Sequence, residues 1–460
     1  MNSNVHSPKE RAMTSPTASS DLIHARATRK ALTRLVPLLM AAYFMAFVDR
    51  TNVGLAKTSL EVDAGIDAAA YGLGAGLFFI TYAFLEVPSN LILHRVGAKV
   101  WISRIAVTWG LLTMAMMFIS SPTVFYVLRL LLGAAEAGLY PGIMYLITMW
   151  FAQKDRAKVV GLILTASSVA FIVANPIGGA IMTLDGLGGL HGWQWLFVLE
   201  GIPTVLLGFY IFFRLPNSPE TATWLEPEEA AELTRRAVGD EGHVVETPGA
   251  IIRNAMSKPF LLTIAAIYFM NQIATYGVVF FVPSIVESMN VSDPFMIGLI
   301  AGSVGIGAVV GVIAIPRVLA RTGNEVVLIA IATAAAIVMA LVFVAVDQPV
   351  ARMVILSATM LFIVGVQPLY WSVLMARLGG VAAAAGLAFV NTIGLTGAFV
   401  GPYAFGLTEK ATGSPSSGLW VLIAATCVGL LCVPLLRMLL TRHDRTHAVR
   451  PVEESVPSAI

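Results

Sequence analysis

Charge is what this chain has least of. Asp, Glu, Lys and Arg make up 12% of its 460 residues against 57% hydrophobic ones, and the mean hydropathy of +0.81 lies outside the range of soluble globular proteins. A net charge of +2, with no basic cluster interleaved with aromatics, excludes a nucleic-acid partner. Cysteine is nearly absent. The two that occur, Cys427 and Cys432, fall inside the last apolar run, which leaves no disulfide framework and no cysteine metal site. His94 and His191 stand in loops without a second ligand at metal spacing. No H-E-x-x-H, G-x-S-x-G or G-x-x-x-x-G-K-[ST] is found, so the commoner membrane hydrolases and ATP-driven transport lose support. Neither an enzyme nor a cofactor is expected. The first thirty residues, rich in Ser, Thr and Ala, lack the apolar core of a signal peptide. Residues 1–34 read as a mobile cytoplasmic tail.

What the chain has in abundance is apolar runs of about 20 residues, the length that spans a bilayer as a helix. They fall near 36–56, 71–93, 101–120, 123–149, 159–183 and 193–213, then near 260–285, 296–316, 326–346, 351–375, 382–405 and 418–440. The alternation that lipid-facing barrel strands require is missing. The fold class is therefore an all-α integral membrane protein of twelve transmembrane helices in two six-helix pseudo-repeats. The N-terminal bundle covers 35–213, a linker 214–258, the C-terminal bundle 259–441 and a cytoplasmic tail 442–460. Six spans, a linker and six spans suit a transporter built from repeats. Within the linker, Glu228 to Arg236 runs from acidic to basic, as a short solvated helix would. Basic residues gather in alternate loops with both termini, which makes that side cytoplasmic by the positive-inside rule.

Against this background a few intramembrane charges stand out, because each costs about 2.5 to 3.5 kcal/mol on insertion scales. Asp49 and Arg50 sit side by side in span one, following Tyr43. In span four, Arg129, Gly133, Glu136 and Tyr140 advance by four, three and four and share one helical face. At 1.5 Å per residue, Arg50 and Arg129 each lie roughly 10 Å below the outer surface, with Glu136 one or two turns deeper. Arg129 and Glu136 are too far apart along their helix to pair, so each is expected to look across to span one. Two readings are open. A static network would fix helix docking, although desolvated ion pairs are poor stabilisers. Alternatively the arginines bind an anionic substrate, for which guanidinium is a natural clamp, and the carboxylates take up protons. Protonating one acid then frees a positive partner, so protons and anion favour each other.

The second half offers neutral groups instead: Asn271, Gln272 and Tyr276 in span seven, Gln367, Tyr370, Trp371 and Ser372 in span ten, Asn391 and Thr392 in span eleven. As a set they suit hydroxyl or ring recognition. Gly138-x-x-x-Gly142 and Gly307-x-x-x-Gly311 permit close helix contacts. Asn175-Pro176-Ile177-Gly178-Gly179 reads as a bend or a rocking contact.

Four pieces are more specific: Asp49-Arg50-x-Asn52-x-Gly54-x-Ala56, Glu86-Val87-Pro88-Ser89-Asn90, Arg129-x-x-x-Gly133-x-x-Glu136-Ala137-Gly138-x-x-Pro141-Gly142, and Gly192-Trp193-Gln194-Trp195-Leu196-Phe197-x-x-Glu200-Gly201. On these the chain, from about Arg34 to Arg442, resembles the major facilitator superfamily. Within it the resemblance is to the anion:cation symporter family and its tartrate-type bacterial branch. The resemblance implies a monomeric, multi-pass protein of the bacterial inner membrane that takes up a small organic anion with protons by alternating access. Tartrate, another hydroxy or sugar acid, or an aromatic carboxylate is the implied substrate. Asp49 and Glu136 match the family's acids and Arg50 and Arg129 its anion-binding arginines. Tyr43, Gln367, Trp371 and Asn391 complete the expected substrate site. Arg95-x-Gly97-x-Lys99 looks like the gating motif after span two, with Asn90 and His94 standing where the superfamily pattern has Gly and Asp.

Overall fold

The computed structural model describes residues 16–238, 258–378 and 380–448. Among them no strand occurs, and twelve helices are long and apolar enough to cross a membrane. Spans one to three are Val36–Ala64, Ala68–Val96 and Ala98–Ala115. Span four is two helices, Pro122–Glu136 and Leu139–Trp150, and spans five and six are Gln153–Met182 and Gly192–Arg214. The second half comprises Pro259–Glu287, Pro294–Thr322, Glu325–Ala345, the broken pair Pro349–Gly365 and Gln367–Met375, then Gly380–Thr412 and Gly418–Ala448. An even number of crossings returns the chain to the side on which it began.

Several boundaries differ from the sequence expectation for one physical reason: charged residues end an apolar run without ending a helix. Span one continues eight residues past Ala56, through Lys57, Glu61 and Asp63, until Gly65 stops it in the left-handed conformation. Span twelve likewise carries Arg442 and Arg445, assigned above to a tail, on its last turns. Residues 16–34 are not loose chain. They form the helix Pro16–Arg34, docked on the linker helix Pro227–Val238. Arg26 and Lys30, one turn apart, converge on the buried Glu229 at 2.7 and 2.6 Å, and Arg236 reaches Asp21 at 2.6 Å. The hydrogen bond from Arg235 holds the Glu232 carboxyl down at about 2. The expected tail and linker residues 1–15, 239–257 and 449–460 lie outside the described residues.

Close backbone contacts between the two halves lie toward the end of the bundle away from the termini, called the outer end below. Gly72 and Gly76 of span two face the carbonyls of Pro402 and Phe399 in span eleven. Gly179, from the Asn-Pro-x-Gly-Gly stretch, lies against Pro294 and Gly298 of span eight, and Gly298 in turn lies on the Asn175 carbonyl. That stretch is a contact between halves. Gly307 and Gly311 press span eight onto Ser357 and Leu361 of span ten, the close approach their spacing suggested.

Candidate functional site

Span four breaks directly after Glu136. Ala137 leaves the helix and Gly138 takes φ +92°, where a Cβ would run into the Ser89 side chain. Ser89 donates to the freed Ala137 carbonyl at 2.6 Å and accepts from the Trp101 indole at 2.9 Å. The break thus has its polar groups satisfied from spans two and three. Tyr140, on the piece after the break, faces span one as Glu136 does, packing on Tyr43 at 5.6 Å.

Arg50 donates to Glu136 in a buried ion pair joining spans one and four. The pairing follows from position. Arg50 is residue 15 of the 29 in Val36–Ala64, and Glu136 is residue 15 of the 29 in Pro122–Trp150. The expectation of Arg50 and Arg129 at one depth is overturned, because span one is longer than its apolar run. Glu136 looks to span one as expected, whereas Arg129 does not. Arg129, fully buried, turns to span two and donates from Nε to the Gly74 carbonyl (3.3 Å) and from Nη2 to that of Ala75 (3.1 Å). Its Nη1 has no protein partner. Asp49 accepts from Thr113 of span three through Oδ1, while its Oδ2 is likewise unpartnered.

Aromatic rings frame the pair. The Arg50 guanidinium lies 4.6 Å from the Phe47 ring, 5.6 Å from Phe78 and 5.8 Å from Tyr82. Tyr43 packs on Phe47 at 5.1 Å and on Tyr140 at 5.6 Å. From the other half, Tyr276 reaches Phe79 at 4.6 Å, so the arginine-bearing face of the first bundle meets span seven. In the second bundle, Gln367 begins the inner piece of broken span ten and donates to Asn271 (3.1 Å), Gln272 (3.2 Å) and Thr275 (3.3 Å). The expected neutral residues of spans seven and ten therefore form one network. Trp371 packs on Tyr268 at 4.9 Å. Asn391 is half-buried on span eleven and makes no side-chain hydrogen bond among the described residues.

At the gating motif, Gly97 has φ +88° and faces the Asn217 side chain, which accepts from the Lys99 backbone N–H at 2.9 Å. Lys99 Nζ lies 5.2 Å from the Phe212 ring, and Arg95 is exposed. These contacts tie spans two and three to the end of span six.

Two features escaped the sequence. Lys57, one residue past the apolar run near 36–56, is 2% exposed and pairs with Glu409 of span eleven at 2.7 Å. Beside it Thr58 donates to Glu287 of span seven, and Lys410 reaches Asp67 at 2.8 Å. The outer end is thus latched across the halves. Glu200 of span six was read only as part of a motif. It is buried with neither carboxylate oxygen hydrogen-bonded, and Asn52 lies between it and Asp49. No local signal in the sequence marks what Glu200 faces. Among the described residues no group of three or more His, Cys, Asp or Glu is placed to hold a metal ion.

The model of the Major Facilitator Superfamily matches residues 39–402. A relative from Agrobacterium vitis named as a tartrate transporter is 37% identical over 438 residues, covering 93% of this chain and 94% of that one. One from Acinetobacter baumannii, named a quinolone resistance transporter, is 37% identical over 402 residues, covering 86% and 92%. Among solved structures, a bacterial homolog of the human lysosomal transporter Spinster, in an inward-facing and unoccupied conformation, superposes with a TM-score of 0.68. It is 16% identical and covers 94% of this chain and 98% of its own.

Proposed function

We propose that this chain, which belongs to the Major Facilitator Superfamily and is a transporter, takes up a small organic anion together with protons. The observation that carries the reading is the buried Arg50–Glu136 pair at mid-span, facing Tyr276 of the other half. A carboxylate that already neutralises an arginine excludes a second carboxylate from it. Protonation of Glu136 releases the Arg50 fork for a substrate carboxylate, and substrate in place favours that proton by linkage. Arg129, with Nη1 unpartnered, supplies the second positive charge, and Asp49 is the second proton acceptor. Tyr43, Tyr276 and the Gln367 network supply hydroxyl and amide groups for a hydroxylated or aromatic acid, with Trp371 and Asn391 bordering the site. The relative named for tartrate supports a hydroxy acid.

The sealed outer end, with the halves in contact there, corresponds to a state open toward the termini. With the basic loops cytoplasmic, that state faces inward. Arg95, Gly97 and Lys99 act at the cytoplasmic end as the gate's hinge to span six. The protein works as a monomer in the bacterial inner membrane.

Export is the second reading, favoured by the relative named for quinolone resistance. Proteoliposomes separate the two. An inward proton gradient should accelerate tartrate or sugar-acid uptake at least tenfold. Asp49→Asn and Glu136→Gln should abolish that acceleration, with counterflow exchange surviving in at least one of them. Exchange with no acceleration by an inward proton gradient in the wild type would overturn symport, and extrusion driven by that same inward gradient would establish export by antiport.

A further inference from the structure

A sizeable cavity lies outside the arginine-bearing site. It is a groove of about 690 Å³ between the beginning of span nine and the end of span twelve, at the termini end of the second bundle. Its volume falls within the range of cavities that hold drug-sized ligands. The walls are apolar: Val327 and Ala330 from span nine, Leu431, Pro434 and Met438 from span twelve. Val327, Leu431 and Met438 are exposed, so the groove opens sideways to whatever surrounds the bundle. Along its upper edge stand Arg437, Arg442 and Arg445, all on span twelve. Residues 437, 441 and 445 follow one helical stripe at steps of four. No carboxylate lines the groove. The two nearby acids, Glu325 and Asp444, are both engaged by Arg377, at 2.7 and 3.1 Å.

The two parts require different things. Apolar walls that open laterally suit hydrocarbon, and two guanidinium groups on one stripe near the end of a membrane helix, Arg437 and Arg445, suit phosphate. A phospholipid joins those chemistries in one molecule at the right separation, its headgroup at the level of the helix end and its chains below. We propose that this groove is a binding site for an anionic phospholipid, with the phosphate held by Arg437 and Arg445 and an acyl chain lying between spans nine and twelve. Zwitterionic lipid offers the same chains without net charge and is a weaker ligand. Basic pockets between helices on the cytoplasmic side are where such headgroups bind. The site lies apart from Arg50, Glu136 and the span-seven network, so it does not rest on the transport reading.

The test uses the purified full chain in detergent. Retained lipid is counted by native mass spectrometry, and thermal unfolding is followed with added phosphatidylglycerol, phosphatidylcholine or inorganic phosphate. Phosphatidylglycerol should be retained preferentially and raise the unfolding temperature; phosphatidylcholine and phosphate should do neither. Arg437→Gln, an exposed position, should fold normally and weaken phosphatidylglycerol retention roughly fivefold, with a similar further loss when Arg445 is replaced as well. Ala330→Trp, which fills the groove while leaving the arginines in place, should also lose the lipid. Equal retention of the two lipids would overturn the proposal, as would protection by phosphate alone or unchanged retention in both variants.

Discussion

Single residues carry an imbalance of charge. Asp49, Glu136 and Glu200 are buried in the first bundle, and among the described residues Arg50 and Arg129 oppose them, the buried Lys57 being taken up by Glu409. Three carboxylates against two guanidiniums leave one negative charge over, which a low-dielectric interior does not tolerate without a bound proton or cation. Glu200 has both oxygens free of hydrogen bonds and packs against Gly178 and Leu196, so it is where a neutral isostere costs least. Glu200→Gln should leave stability within about 0.5 kcal/mol and proton-driven uptake intact, whereas Glu200→Ala should lose about 2–4 kcal/mol through the cavity it opens. Thermal unfolding and uptake assays check both. Loss of coupling in Glu200→Gln, with exchange retained, would make Glu200 a third coupling acid. The charges of the site itself were legible, because Asp49, Arg50, Arg129 and Glu136 interrupt apolar runs. Glu200 was not, since a lone acid near one tryptophan-rich motif carries no sign of what it faces. Lys57 lies just past the first apolar run and was not legible as a partner of span eleven, because burial across an interface between halves leaves no mark on local hydropathy.

Elements were legible in number and poorly legible in their ends. Hydropathy counts the residues a bilayer tolerates, while helix ends are set by caps and by backbone geometry, so span one outran its apolar stretch and moved Arg50 to mid-helix. The break in span four was equally hidden. Gly138 was read as a small residue for close packing, yet its left-handed φ ends one helix and starts another. A methyl group there meets the Ser89 side chain and the ordinary αL penalty of about 1–2 kcal/mol. Gly138→Ala should therefore destabilise the protein by at least about 2 kcal/mol in thermal unfolding. Because Glu136 precedes the break, the variant should also weaken anion binding. Ser89→Ala supplies the complementary measurement: it leaves the turn its shape but strips the Ala137 carbonyl of its partner, and about 1–3 kcal/mol should be lost. Wild-type stability in Gly138→Ala would mean that the helix runs on through this position.

At the scale of the whole molecule, two six-helix bundles could be read from the chain, but not which ends of them touch. Contact between halves depends on glycines meeting carbonyls across several hundred residues, and on one buried ion pair. Lys57–Glu409 spans the outer end, and its acid is 9% exposed. In any state where the outer end opens, both groups regain water. The pair therefore matters for the balance between states more than for folding. Removing Lys57 alone strands a carboxylate in the closed arrangement, at about 3–5 kcal/mol, enough to shift the closed-to-open ratio by roughly two to four orders of magnitude. Replacing both partners with apolar residues should restore closure, because the hydrophobic substitute avoids the desolvation cost. Phe399, packed at the sealed contact on Gly76, is a suitable reporter. In a background with Cys427 and Cys432 replaced by Ser, Phe399→Cys should react slowly with a polar maleimide. Adding Lys57→Met should accelerate labelling at least tenfold, and Lys57→Met with Glu409→Leu should return it to the slow rate. Equal rates in all three proteins would show that the other outer-end contacts hold it closed, with the Lys57–Glu409 pair contributing nothing to the choice of state.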